Sequence, residues 1–152
     1  MDDFNGFSLR PATMPDSRAI RALIRQAGIN PLDLNWRRFI LAIGAANDIL
    51  GCGQLKPHSD GSIELASIAV KENYRGVGIG KKIIEYLIST SPTDTLYLTC
   101  RSGLGKYYER FGFIPISPEE MPRYFRRVYR VFIFFKKLRL LHENLLVMRR
   151  SV

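Results

Sequence analysis

The residues with the clearest chemical potential form a glycine-rich run, Gly76, Gly78 and Gly80. A strand pattern of apolar residues at Ile63–Val70 precedes the run, and a helical pattern beginning at Ile79 follows it. Glycine permits backbone conformations with positive φ and leaves room for a ligand beside the main chain. The unpaired N–H groups at the start of a helix, assisted by the helix dipole, attract anions. The run therefore predicts a phosphate or pyrophosphate site between a strand and a helix.

The side chains beside the glycines add positive charge but do not match either of two common phosphate loops. Arg75 and Lys81 flank the run. The Walker A pattern requires glycine in place of Arg75 and Ser or Thr in place of Lys82, and the dinucleotide fingerprint requires glycine in place of Lys81. From the residues alone, a tight strand–helix connection without a ligand therefore stays an alternative.

Strand and helix patterns extend along the whole chain on both sides of this loop. Strands are predicted at 7–10, 39–43, 49–56, 63–70, 95–100, 113–116 and 145–148, and helices at about 14–27, 79–90, 103–111 and 119–141. Short turns within 39–70 favour antiparallel pairing, whereas the helix between 63–70 and 95–100 requires a parallel crossover. The predicted fold class is α/β (α+β), a mixed sheet with helices on both faces, in a single domain covering residues 1–152.

Length and composition exclude several classes of protein. The chain has 152 residues, of which 46% are apolar and 24% charged, as in an ordinary globular domain. Cys52 and Cys100 belong to no Cys/His cluster, so we predict no metal site and a reducing compartment. The acidic start does not resemble a signal peptide, and no run approaches the ~20 apolar residues of a membrane span. The expected location is cytoplasmic.

Two blocks of sequence resemble motifs of one enzyme family. Tyr74–Gly80 resembles the pyrophosphate loop Arg/Gln-x-x-Gly-x-Gly/Ala of the GNAT superfamily of N-acetyltransferases, with Arg75, Gly78 and Gly80 at the defined positions. Lys106–Phe113 is similar to the family's aromatic-Tyr-x-x-x-Gly-Phe block. The resemblance implies the GNAT fold over essentially the whole chain, with the parallel strand pair splayed to admit coenzyme A.

This resemblance also implies the cofactor and the main-chain groups that hold it. The expected cofactor is acetyl-CoA. Its pantetheine arm would pair with the backbone of Ile68, Ala69 and Val70, and the N–H of Ala69 or Ile68 would stabilise the oxyanion. The cofactor-binding loop would comprise Arg75, Gly76, Val77, Gly78, Ile79, Gly80 and Lys81.

Two catalytic side chains follow from the same resemblance. Tyr108 matches the tyrosine that lies near the thioester sulfur and is assigned as general acid, the alternative being a core aromatic. Glu64 lies on the strand before the loop, where histone-acetylating members carry a catalytic glutamate, and is the candidate base. A solvent-facing Glu64 and a water path for the proton stay open. Arg101 stands where some members carry an asparagine, and neither His58 nor His142 receives a catalytic role.

The resemblance implies direct acetyl transfer to a primary amine, which could belong to a small molecule, an amino acid, a peptide or a protein. Pro118–Pro122 resembles amino-acid-acetylating relatives. The alternative function is a non-catalytic CoA-binding or regulatory module whose basic C-terminal helix binds an anionic partner or a membrane surface.

Positive charge is concentrated at the end of the chain. Residues 121–152 hold nine Lys and Arg and one acid, so they carry all but one unit of the net charge of +9. The helix predicted at 119–141 has four possible roles. It could cover the acceptor-binding side of the protein, form a homodimer face, make peripheral contact with a membrane or present an ordinary solvated face. Nucleic acid is not an expected partner, because no recognised motif accompanies the alternation of aromatic and basic residues.

Overall fold

The computed structural model describes residues 3–4 and 6–151. Contacts divide the chain into a first unit, made of the residues up to Lys56 together with Leu65–Ser91, and a second unit, made of Pro57–Glu64 together with the residues from Pro92 onward. The assignment of residues 1–152 to one domain stays a prediction.

The first unit is built on antiparallel strands. They are β1 (Asp3–Phe4), β2 (Phe7–Pro11), β3 (Phe39–Gly44), β4 (Ile49–Pro57) and the larger part of β5 (Ile63–Val70). β1 to β4 pair antiparallel in chain order, with Leu9 opposite Ala42 and Leu41 opposite Cys52, and β5 lies beside β4. The predicted antiparallel pairing of strand 39–43 with strand 49–56 is confirmed.

Two helices cover opposite faces of these strands. They are α1 (Ser17–Gln26) and α2 (Ile79–Ser89). Side chains alternate between the two faces of a strand, so neighbouring residues of β4 contact different helices. Cys52 joins the buried cluster that contains Ile24 of α1, whereas Gly51 lies against Ile79 of α2.

The second unit contains the strand that pairs parallel with the beginning of β5, and the elements that follow it. Its elements are β6 (Thr95–Arg101), α3 (Gly105–Glu109), β7 (Ile114–Pro115), α4 (Arg123–Lys137) and β8 (Leu145–Ser151). The beginning of β5 pairs parallel with β6, with Glu64 opposite Tyr97, and β8 pairs antiparallel with both β6 and β7. Its core packs Phe125 of α4 against Val147 of β8. The mixed α/β fold class is confirmed.

The prediction of one helix from 119 to 141 is wrong at both ends. Residues Pro118–Glu120 form a separate 3-10 turn, closed by a capping box between Ser117 and Glu120. Pro122 lacks a backbone N–H and begins α4 as its N-cap. After Lys137 the chain turns, and Arg139 has a φ of 59°. α4 is therefore shorter than its hydrophobic pattern indicates.

Candidate active site

The glycine loop, residues 71–81, connects β5 to α2. Gly76 and Gly78 have φ values of 80° and 93°, which residues with a side chain rarely adopt, and Gly78 is the N-cap of α2. The amide of Lys82 is the first that bonds back to the loop, donating to the Gly78 carbonyl at 3.0 Å. Within residues 3–4 and 6–151, nothing accepts a hydrogen bond from the amides of residues 76–81. These amides are therefore available to an anion, which fits the diphosphate of a coenzyme.

Two hydrogen bonds hold the glycine loop against the strands. The Arg75 Nε donates to the Val70 carbonyl at 3.2 Å, and the Lys71 amide donates to the Leu50 carbonyl at 2.8 Å. Lys81 is exposed and forms an ion pair with Glu85, in which the Lys81 Nζ lies 3.8 Å from the Glu85 Oε1. The sequence-predicted loop residues and Ile68, Ala69 and Val70 thus all lie in the first unit, at the end of β5.

Close packing of β4 against α2 sets the position of the helix start. A Cβ atom on Gly51 would lie 2.9 Å from Ile79 Cγ2 and 3.0 Å from the Ala69 carbonyl oxygen. A Cβ atom on Gly53 would lie 2.7 Å from Ile83 Cγ2. Both glycines therefore allow α2 to approach the strand more closely than any side chain would permit.

We expect Gly51→Ala to destabilise the fold by about 1–3 kcal/mol, as overpacking of a well-packed core does. The Ala69 carbonyl belongs to the backbone and Ile79 begins α2, so relief of the clash would displace both sides of the loop. Denaturant unfolding and calorimetric titration with coenzyme A should show lower stability and weaker binding.

Gly103→Ala is the matched control for Gly51→Ala. A Cβ atom added to Gly103 would have no other atom within 4 Å, and Gly103 does not have a positive φ. Its replacement by alanine should therefore leave the stability and the coenzyme A affinity unchanged. Equal stabilities of Gly51→Ala and the unmodified protein would contradict the close-packing argument.

β5 is distorted immediately before the residues predicted to meet pantetheine. Ser67 has a φ of 58°. This left-handed conformation is energetically unfavourable for any residue that carries a side chain. The Gln54 Nε2 donates to Ser67 Oγ at 2.9 Å, and the Cys52 thiol lies 3.6 Å from the Ser67 carbonyl. These contacts stabilise the irregular backbone conformation of β5 at Ser67, next to Ile68 and Ala69.

Two buried polar side chains of β4 lie on the same face of the strand. Gln54 is fully buried, and its Oε1 has no hydrogen-bond partner among the residues that the structure describes. Lys56 is 8% exposed, and its Nζ donates to the Leu32 carbonyl at 3.2 Å. Burial of an ammonium beside a neutral carbonyl is unfavourable unless an anion also meets it. This face is therefore suited to a polar group that brings negative charge to Lys56 and an N–H or O–H donor to Gln54 Oε1.

Glu64, the candidate base, lies in the second unit and is nearly buried. Its Oε2 is 2.7 Å from His58 Nε2. The His58 ring stacks on Tyr124, with 3.4 Å between ring centroids, and Asp60 accepts a hydrogen bond from the Tyr124 amide at 2.8 Å. The carboxylate is thus oriented by a histidine that is itself held in place. The alternative of a solvent-facing Glu64 is wrong, because its side chain is only 10% exposed.

Tyr108, the candidate acid, lies on α3 in the second unit. Its ring meets Phe113 edge-on at 6.3 Å between centroids, and its carbonyl accepts the Phe111 amide at 3.0 Å. Burial raises the pKa of the Tyr108 phenol above its ordinary value, and the neighbouring Cys100 and Tyr107 raise it further. The hydroxyl therefore keeps its proton, and the structure describes no acceptor for it among residues 3–4 and 6–151.

The remaining candidates have structural partners. Arg101 is exposed and pairs with Glu143 at 2.9 Å, rather than with a buried polar group. Burial raises the pKa of Cys52 to about 12 and that of Cys100 to about 11, so neither thiol is an activated nucleophile. Both cysteines are buried and form no disulfide.

Sequence reasoning did not identify His58, Gln54, Ser67 or the packing role of Gly51. His58 precedes Glu64 by six residues across a turn, and that spacing was the available signal for a hairpin pair. An isolated Gln in an apolar strand was the signal for Gln54. Ser67 carried no signal, because only the tertiary bonds reveal its conformation.

The chain matches a known domain family over more than half of its length. The sequence profile of an acetyltransferase (GNAT) domain matches residues 35–115. Within residues 3–4 and 6–151 no helix is long and apolar enough to cross a membrane.

Three solved structures share the fold. One is N-acetylglutamate synthase from Neisseria gonorrhoeae, complexed with coenzyme A and N-acetyl-glutamate. Its sequence is 23% identical to this chain, and the two structures align with a TM-score of 0.77. The alignment covers 99% of this chain and 36% of the synthase chain. The chain therefore spans about a third of that synthase. Rv2747 from Mycobacterium tuberculosis, in complex with CoA and NLQ, is 20% identical with a TM-score of 0.73, over 95% and 99% of the two chains. A GNAT acetyltransferase from Staphylococcus aureus Mu50 is 18% identical, with a TM-score of 0.70 over 95% and 98%.

Three findings agree on one family. They are the overall fold, the strand–loop–helix segment with its open amides and the match to the domain profile. The chain belongs to the GNAT acetyltransferase family.

Proposed function

We propose that the protein transfers an acetyl group from acetyl-CoA to a primary amine. The observation that carries the proposal is the row of open amides at residues 76–81, at the head of α2 in a GNAT-family chain. These amides would hold the coenzyme diphosphate, and acetyl-CoA would supply the activated thioester. The coenzyme A complexes of the N. gonorrhoeae synthase and of Rv2747 support this assignment.

The end of β5 would supply the donor to the carbonyl oxygen that gains negative charge during transfer. The left-handed Ser67 interrupts the regular strand just before Ile68 and Ala69. A main-chain N–H of Ile68 or Ala69 is the proposed donor, since a preorganised amide stabilises developing charge without reorganising. Gln54 would act indirectly, through its bond to Ser67.

Glu64 would remove the proton from the attacking amine, which must be neutral to react. The 2.7 Å contact with His58 fixes the carboxylate, so His58 is a positioning residue. Tyr108 would donate a hydrogen bond to the departing sulfur. A buried carboxylate with an ordered partner and a phenol that keeps its proton are groups that acetyl transfer can use, and their presence favours an enzyme over the alternative of a non-catalytic CoA-binding module.

The test of the proposal combines coenzyme binding with thiol release. Calorimetric titration with coenzyme A should show binding, and acetyl-CoA with a panel of primary amines should release thiol at a rate proportional to enzyme. Binding without release from any amine would favour the non-catalytic module. Absence of binding to folded protein would overturn the proposal.

We propose further that the acceptor carries a carboxylate beside its amine, as an amino acid does. Lys56 is a nearly buried cation whose described partner is a neutral carbonyl, so a carboxylate would complete its environment. The relative solved with N-acetyl-glutamate supports the same class of acceptor.

Lys56→Met should raise KM for L-glutamate at least tenfold, because loss of one member of a buried charge pair costs several kcal/mol. The rate with a primary amine lacking a carboxylate should stay unchanged. Steady-state thiol release with both acceptors measures the difference. Arg25→Met, which removes an exposed charge of α1 in the same unit, is the control. Equal losses with both acceptors would contradict a carboxylate site.

A further inference from the structure

The end of α4 and the turn after it expose a contiguous group of large apolar side chains. This apolar tip consists of Val131, Phe134, Phe135, Leu138, Leu140 and Leu141, which are between 39% and 63% exposed. Single exposed apolar residues are ordinary on protein surfaces, whereas a contiguous patch usually marks an interaction site.

The core of the second unit does not account for this tip. Only Phe125, in the first turn of α4, is buried within the helix, where it packs against Met121, Ile116 and Val147. The remaining turns of α4 extend past this contact, and no residue between 126 and 144 is buried. The tip therefore contributes no buried side chain to this core and leaves much of its apolar surface exposed.

Basic side chains surround the tip. This basic flank consists of Arg127, Arg130, Lys137 and Arg139, all of which are exposed. Arg126 is not part of it, because its guanidinium donates to the carbonyls of Pro118, Glu119 and Met121. Glu143, the one acid in this part of the sequence, is paired with Arg101 at 2.9 Å. The surface thus combines apolar exposure with positive charges that form no ion pair among residues 3–4 and 6–151.

The combination selects among the partners that could cover the tip. A second copy of the chain would bring two basic flanks together, which like-charge repulsion disfavours. Single-stranded nucleic acid would satisfy the charge and could stack on Phe134, but it offers no contact for the four aliphatic members of the tip. An anionic lipid surface satisfies both features, since acyl chains receive apolar side chains and headgroups receive Lys and Arg.

We propose that the apolar tip and basic flank seat this protein on the surface of an anionic membrane. The tip would enter the headgroup–acyl boundary while the flank remains among the headgroups. The contact is peripheral, because α4 has 15 residues and carries charged side chains along its length. It is independent of acetyl transfer and requires no change in the acetyl-CoA site.

Co-sedimentation of the full chain with vesicles tests the proposal. The protein should sediment with phosphatidylcholine vesicles containing 30% phosphatidylserine in about 50 mM salt, and should be released in about 500 mM salt, where screening is strong. Arg127→Gln/Arg130→Gln/Lys137→Gln should lower the partition coefficient on the order of 100-fold. Phe134→Ser/Leu138→Ser should lower it at least tenfold, because each removes exposed apolar area that would enter the bilayer. Thermal melts confirm that the variants remain folded.

Arg18→Gln/Arg21→Gln/Arg25→Gln is the matched control, because it removes three exposed charges from α1 and leaves the tip intact. It should reduce the partition less than threefold. Three results would overturn the proposal: no binding of the full chain to the anionic vesicles, equal losses from the control and flank variants, or full binding by the tip variant. A dimer that the tip substitutions dissociate, without vesicle binding, would identify a second copy as the partner instead. Gel-shift binding to single-stranded oligonucleotides without vesicle binding would identify nucleic acid.

Discussion

Gly78→Val should lower the affinity for coenzyme A by on the order of 100-fold or more. Gly78 has a φ of 93° and caps α2, so a β-branched residue would strain this conformation and shift the amides that follow it. Hydrogen bonds to a charged group contribute about 1.5–3 kcal/mol each, and loss of one or two of them accounts for the change. Isothermal titration calorimetry with coenzyme A measures it.

Gly28→Val is the control for backbone strain without a ligand contact. Gly28 has a φ of 67° and lies outside the glycine loop. A Cβ atom added to Gly28 would have no other atom within 4 Å. This variant should lose stability to a similar extent while binding coenzyme A normally. If Gly78→Val bound the coenzyme as tightly as the unmodified protein, the open amides could not be the diphosphate site.

Tyr108→Phe should lower kcat by about 10²–10³, as removal of one donor to developing negative charge does in other enzymes. Burial raises the pKa of the Tyr108 phenol above 10.0, whereas an ordinary thiol titrates near about 8.5. Full proton transfer to the sulfur is therefore unfavourable, and the hydroxyl would act by holding a hydrogen bond to the departing thiolate. Activity should consequently show no decline from ionisation of Tyr108 between pH 7 and its ordinary pKa of 10.0.

Tyr107→Phe is the matched deletion of a neighbouring hydroxyl. Tyr107 packs against Phe111 at 5.4 Å between ring centroids and beneath the Arg110 guanidinium, so its ring has a structural role. Its replacement should change kcat less than threefold. Coenzyme affinity should be unchanged in both variants. A Tyr108→Phe enzyme with normal kcat would show that another group stabilises the leaving sulfur.

The candidate site could be predicted to different extents in its different parts. The conformation of the glycine loop was predictable, because glycine spacing directly indicates where the backbone can adopt positive φ values before the start of a helix. The position of Glu64 on β5 was predictable, but the partner of its side chain was not, because the sequence left open a solvent-facing side chain. The structure instead places it against His58, whose ring is held by Tyr124, a residue more than 60 positions away.

Residue patterns by themselves determined the order of the four α-helices and of β2 to β8, the crossover between β5 and β6 and the loop that opens α2, whereas β1 was not predicted. These are consequences of local periodicity, glycine freedom and the short reach of turns. Tertiary structure decided the left-handed turn at Ser67, the close approach at Gly51, the burial of Lys56 and the length of α4. Each of these depends on atoms brought together from distant parts of the chain, and the energies of such contacts outweigh local preference.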